Sequence, residues 1–173
     1  MNAFFYISAV VAVISTIMVV TRVNAVHALL YFIVSLLSVG LIFFALGAPF
    51  AAALEVIVYA GAIMVLFVFV IMLLNLGKTA AESERRLLNS QLWMGPGVLA
   101  LILFAELLYL LIHGPGGGPV MGVVGPKQVG ISLLGQYVIG VELASLVLLA
   151  GLAGAYHLGR RRRPGADKGG RRW

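Results

Sequence analysis

Five long apolar runs, separated by short polar stretches, occupy most of this chain, and the pattern predicts five helices that cross a bilayer. The runs cover about residues 3–20, 26–46, 51–74, 92–112 and 136–158. Each reaches or approaches the roughly 20 residues a helix needs to span hydrocarbon. The expected fold class is an all-α membrane protein. One five-helix domain covers residues 1–158, and a basic tail covers 159–173. Pro96 falls in the expected first turn of the fourth span, where proline is tolerated. No proline sits at the middle of a span, so the discontinuous helices of many transporters have no support here.

The polar stretches set the expected orientation. The first carries Arg22, the third Lys78, Arg85 and Arg86, and the tail Arg160, Arg161, Arg162, Arg163, Lys168, Arg171 and Arg172. Cytoplasmic loops are enriched in Lys and Arg, which places the N-terminus outside and the C-terminus in the cytoplasm. An odd number of spans agrees with that. The seven bases of the tail, less Asp167, account for the whole formal charge of +6. A basic cluster beside anionic lipid is read as a membrane anchor, not as a nucleic-acid site. Residues 114–135 hold eight glycines and three prolines, Pro115, Pro119 and Pro126, and are read as a flexible outer loop.

Composition narrows the class further. The chain has 173 residues, 62% hydrophobic and only 10% charged, against about 25% charged in soluble domains. It is too short for most secondary transporters built from two related halves. With no cysteine, it offers no disulfide, thiolate metal site or iron–sulfur ligation. The first residues lack the basic region of a signal peptide, so none is expected. His27, His113 and His157 lie near span ends and are read as interfacial, with no metal site among them.

Candidate chemistry rests on three acids within the spans: Glu55, Glu106 and Glu142. A carboxylate at the centre of the hydrocarbon costs roughly 2.5–3.5 kcal/mol on insertion scales. All three fall about 6–9 Å below the expected outer boundary, at 1.5 Å per helical residue. Snorkelling to the interface competes there with a functional role. No span holds Lys or Arg, so each acid must be protonated, hydrated or paired with another subunit. Glu106 and Glu142 are therefore candidate partner contacts. Tyr59 lies one turn beyond Glu55 on the same helix face, and a packed tyrosine is the alternative reading. Ala60, Gly61 and Ala62 admit a close neighbour, and Gly61 weakens the helix locally.

The fifth span has two distinct sides. Gly140, Ala144, Val147, Gly151 and Ala155 form a small-residue stripe suited to helix packing. Glu142 lies about 170° from it at 100° per residue, so burial between this chain and another explains both sides.

The run His27-Ala28-Leu29-Leu30-Tyr31, followed by Ala53–Val70 with its Glu55-x-x-x-Tyr59-Ala60-Gly61-Ala62-Ile63 core, resembles a known family. It is that of the J subunit (chain 10) of bacterial proton-pumping NADH:quinone oxidoreductase, respiratory complex I, and of mitochondrial NADH dehydrogenase subunit 6. The signature is strong over residues 1–76 and slight beyond. The resemblance implies a multi-pass subunit of the cell (inner) membrane, packed between the quinone-chamber and antiporter-like subunits. It implies no cofactor on this chain, with NADH, FMN, iron–sulfur clusters and quinone used elsewhere in the complex. It also implies a π-bulge near Tyr59 that flips in turnover, re-aiming Val65 and Phe69, and a place for Glu55 on the proton path. A subunit of a multisubunit cation/proton antiporter and a plain scaffold are the competing classes.

Overall fold

The computed structural model describes residues 3–74, 90–113 and 122–159. Every regular element among them is helical. The elements are α1 (Ala3–Thr21), α2 (Ala25–Ala45), α3 (Pro49–Leu54), a π-helix (Glu55–Ile63), α4 (Met64–Leu74), α5 (Ser90–His113), α6 (Pro126–Leu134) and α7 (Val138–Gly159). α3, the π segment and α4 follow without a break. Five helices are long and apolar enough to cross a membrane: Ala3–Thr21, Ala25–Ala45, Pro49–Leu73, Trp93–Ile112 and Val138–Gly159.

Local chemistry explains the helix ends. Asn24 caps α2, its side-chain oxygen accepting from the Val26 N–H at 3.0 Å. That satisfies one of the donors a helix start leaves orphaned. At the other end Gly47 turns the chain with φ 81°, a conformation that costs glycine little. Its carbonyl accepts from the Val124 N–H at 3.0 Å. Pro49 then opens α3 as its first residue, where the missing N–H is no loss.

Two expectations need correction. α5 begins at Ser90, so Pro96 lies inside the helix and not in its first turn. It therefore forfeits a bond to the carbonyl of Leu92. Residues 126–134, read as flexible loop, form helix α6. Glycine content outweighed a local start signal, because Pro126 at the first helical position has the preset φ a helix needs. The remainder of that loop at 114–121, the third loop and the basic tail lie outside the described residues.

The chain divides into two compact units, residues 1–125 and 126–173. In the first, α2 packs against α1, the third span and α5, and α1 also meets α5. Val11, Val34, Leu41, Leu103 and Leu110 form its core, flanked by Phe4, Leu37, Phe44 and Leu99. The rings of Phe4 and Tyr109 lie 5.0 Å apart and tie α1 to α5. In the second unit α6 packs against α7, and every described residue of α7 is exposed.

Gly40 sets how closely α2 approaches the third span. A Cβ added there would meet Val56 Cγ2 at 3.5 Å, the Ala52 carbonyl oxygen at 3.7 Å and Glu55 Cγ at 3.9 Å. One methyl fits; a branched side chain does not. Gly40→Leu is expected to cost about 1–3 kcal/mol by overpacking. The check is the thermal midpoint of the purified assembly, which should fall for Gly40→Leu and hold nearly steady for Gly40→Ala.

Candidate functional site

The candidate site lies on the third span. Nine residues from Glu55 to Ile63 adopt π geometry, in which each N–H reaches one residue further back than in an α-helix. The segment contains Glu55, Tyr59, Ala60, Gly61 and Ala62, while Val65 lies just beyond it in α4. At the junction with α4 the Met64 N–H is shared between the carbonyl of Tyr59, five residues back, and that of Gly61, three residues back.

Gly61 suits this geometry. A Cβ on it would stand 3.2 Å from the carbonyl oxygen of Val56, five residues earlier. That is tighter than ordinary van der Waals contact, and glycine avoids it. The π segment also starts earlier than the expected weak point at Tyr59–Gly61, because it already includes the turn that bears Glu55.

Glu55 is half-buried, with its side-chain stem near Gly40. Tyr59 is 50% exposed, as are neighbours such as Ile57, Val65 and Phe69 to similar degrees. Among the described residues, neither the Glu55 carboxyl nor the Tyr59 hydroxyl has a hydrogen-bond partner. The face they share is therefore chemically open: an acid and a phenol held within one turn, free to bond to groups outside this chain. An apolar groove of about 690 Å³ flanks the start of the segment, lined by Gly40, Ala52, Val56 and Ile57 and by Leu103 and Phe104 of α5.

The other candidate acids lie elsewhere. Glu106, expected to reach another subunit or the interface, is only 6% exposed and turns into this chain's own bundle. Ser8 of α1 donates to its Oε2 at 3.0 Å. The sequence offered no cation to pair with Glu106, but a serine on a neighbouring span does part of that work. Glu142 is exposed on α7, as are Gly140, Ala144, Gly151 and Ala155. A Cβ added at Gly140 or Gly151 would meet nothing within 4 Å, so the small-residue stripe is uncovered. His27, read as interfacial, is also 6% exposed and lies inside the bundle. Sequence reasoning missed Ser8, Ser15, Ser38 and Gly40. Small polar residues recurring at Ser8, Ser15, Ser35 and Ser38 on two adjacent spans were the available signal.

Comparison with known proteins adds a family. The profile of NADH-ubiquinone/plastoquinone oxidoreductase chain 6 matches residues 15–158. A protein of Pseudomonas aeruginosa (strain PAO1) named NADH-quinone oxidoreductase subunit J is 58% identical over 157 residues, covering 90% of this chain and 95% of its own length. The protein of that name from Escherichia coli K12 is 52% identical over 165 residues, covering 93% and 88%. A third, from Buchnera aphidicola subsp. Schizaphis graminum, is 48% identical over 163 residues, covering 94% and 100%.

The π geometry yields a test of its own. Gly61→Val adds a branched side chain where even a Cβ meets the Val56 carbonyl at 3.2 Å. The segment is expected to shorten or shift, which a structure of the variant reads directly. An unchanged π-helix from Glu55 to Ile63 would show that Gly61 is not what permits it.

Proposed function

Because the chain belongs to the NADH-ubiquinone/plastoquinone oxidoreductase chain 6 family, we propose that Glu55, Tyr59 and the π segment couple its membrane arm to proton movement. The chain is a membrane-arm subunit of NADH:quinone oxidoreductase, respiratory complex I. That complex couples electron transfer from NADH to quinone to proton translocation. Its other subunits are this chain's partners.

The finer reading is ours. This subunit binds no cofactor and carries no redox group; FMN, iron–sulfur clusters and quinone belong to other subunits. It sits in the cell (inner) membrane between the quinone-chamber and antiporter-like subunits, N-terminus outside and C-terminus in the cytoplasm. The exposed faces of the third and fifth spans meet those neighbours. The observation that carries the coupling role is the unpartnered Glu55 carboxyl at the head of a nine-residue π-helix.

π segments inside α-helices are rare and are frequently found at functional sites. Returning this one to α geometry moves the register by one residue, turning side chains on one side of it by about 100° relative to the other. Val65 and Phe69 would be re-aimed against a neighbouring helix. Glu55 and Tyr59 would gain or lose a hydrogen-bonded link to acids and water outside this chain. Such a switch connects or breaks a proton path without any redox chemistry on this subunit.

Glu55→Gln keeps size and hydrogen bonding but removes the titrating proton. The expected result is an assembled complex whose proton pumping and NADH:quinone turnover both fall partially, with acids of other subunits sharing the path. Glu106→Gln is expected to be milder. Normal pumping stoichiometry and turnover in assembled Glu55→Gln would reduce Glu55 to a structural residue.

Orientation has a separate check. In this Cys-free chain, cysteines are placed at Val23 in the first loop and at Val123, both exposed. An impermeant thiol reagent added outside intact cells should label Val123→Cys and spare Val23→Cys. The opposite pattern inverts the topology.

A further inference from the structure

A polar seam runs through the interior of the first unit, on the side of α2 that faces α1 and α5. At one end Ser8 donates to Glu106 Oε2, and Ser38 of α2 donates to the Ser8 carbonyl. Further along, at the edge of the bundle, the hydroxyls of Ser35 and the exposed Thr16 lie 2.9 Å apart. At the other end the Arg22 guanidinium lies 5.6 Å from the ring centre of Tyr31, close to His27. Ser8 and Ser15 lie seven residues apart on one face of α1, about 10 Å at 1.5 Å per residue, and Arg22 follows just past the helix end.

Three polar atoms of the seam are buried without a hydrogen-bond partner among the described residues: Glu106 Oε1, Ser15 Oγ and His27 Nε2. Ser15 is fully enclosed, and Glu106 and His27 are each 6% exposed. An unbonded buried polar group costs about 1–3 kcal/mol, so such groups are almost always satisfied by protein or by bound water. Here this chain's own helices enclose the atoms, which keeps out the side chains of other subunits. Water is small enough to reach them. There is an entrance at the Arg22 end: a cavity of about 500 Å³ is lined by Arg22, His27, Tyr31, Ile14 and Met18 together with Met94 and Gly95 of α5. Ile14 is the residue next to Ser15.

We propose that this seam is an internal water-binding site, filled from the Arg22 cavity, that lets the Glu106 carboxyl exchange protons through the interior of this subunit. It is separate from the open Glu55–Tyr59 face and does not depend on the role assigned to that face. Val11 lies between Ser8 and Ser15 on α1, and Val34 between Ser38 and Tyr31 on α2, both in the apolar core. Both are buried apolar residues of the core between the Arg22 end and Glu106, so the proposed route passes them.

The test uses the whole complex in lipid nanodiscs, with water itself as the probe. A cryo-EM map that resolves ordered water should show density at hydrogen-bond distance from His27 Nε2, Ser15 Oγ and Glu106 Oε1. Dry atoms there, or contact with a side chain of another subunit, overturns the proposal. Infrared spectra then follow the Glu106 carboxylic-acid band, identified by its loss in Glu106→Gln. The band should shift on transfer to D₂O, and Val11→Phe should slow that exchange at least about tenfold. A band that keeps its position in D₂O, no band sensitive to residue 106, or exchange unaffected by Val11→Phe, each overturns the route. If Glu106→Gln does not assemble, Ser8→Ala identifies the band by shifting it, because it removes the hydroxyl bound to Oε2.

Discussion

Hydrocarbon offers no hydrogen bonds, so a chain that crosses it must satisfy its polar groups from within. The helices Ala3–Thr21, Ala25–Ala45, Pro49–Leu74, Ser90–His113 and Val138–Gly159 do so for the backbone. Even the irregular stretch Glu55–Ile63 keeps its bonding by shifting to π geometry and does not open into a loop. The same demand shapes the side chains. Ser8 bonds Glu106, Ser38 bonds the Ser8 carbonyl, and Ser35 pairs with Thr16, so these hydroxyls find partners on neighbouring helices.

α2 is the element on which the first unit is built. It alone packs against α1, the third span and α5. One of its faces carries the serines of the polar seam, and Gly40 allows the third span to come close. Val56 and Glu55, at the start of the π segment, are among the groups nearest Gly40. The acid that opens the π-helix thus has its stem close to Gly40 of α2, and among the described residues its carboxyl has no hydrogen-bond partner.

The lateral surfaces complete the picture of a part made for assembly. The third span is the most apolar of the five and among the least buried, and α7 is exposed throughout. A small-residue stripe on one side of α7 and Glu142 on another give it two faces with different demands. The Glu55–Tyr59 edge of the third span is likewise open, with Glu55 half-buried and Tyr59 exposed.

Periodicity and length determined the number and placement of the spans, because about 20 apolar residues in a row have few other fates. The motif around Glu55, Tyr59 and Gly61 was legible as well, since an acid, a phenol and small residues within one apolar run are conspicuous. The tertiary structure decided what each polar residue meets. Glu106 and Glu142 look alike in sequence, each an acid about six residues inside a span. Ser8, 98 positions away, binds one, and the other stays exposed. His27 lies near a span end, and the folded chain leaves it only 6% exposed beside a cavity that α5 also lines. Pro126 shows a local limit: glycine content around it favoured a loop, while a proline-started helix formed. Span patterns depend on neighbours in sequence and can be read from it. Hydrogen bonds between spans depend on which helix faces meet, and only the folded chain fixes those.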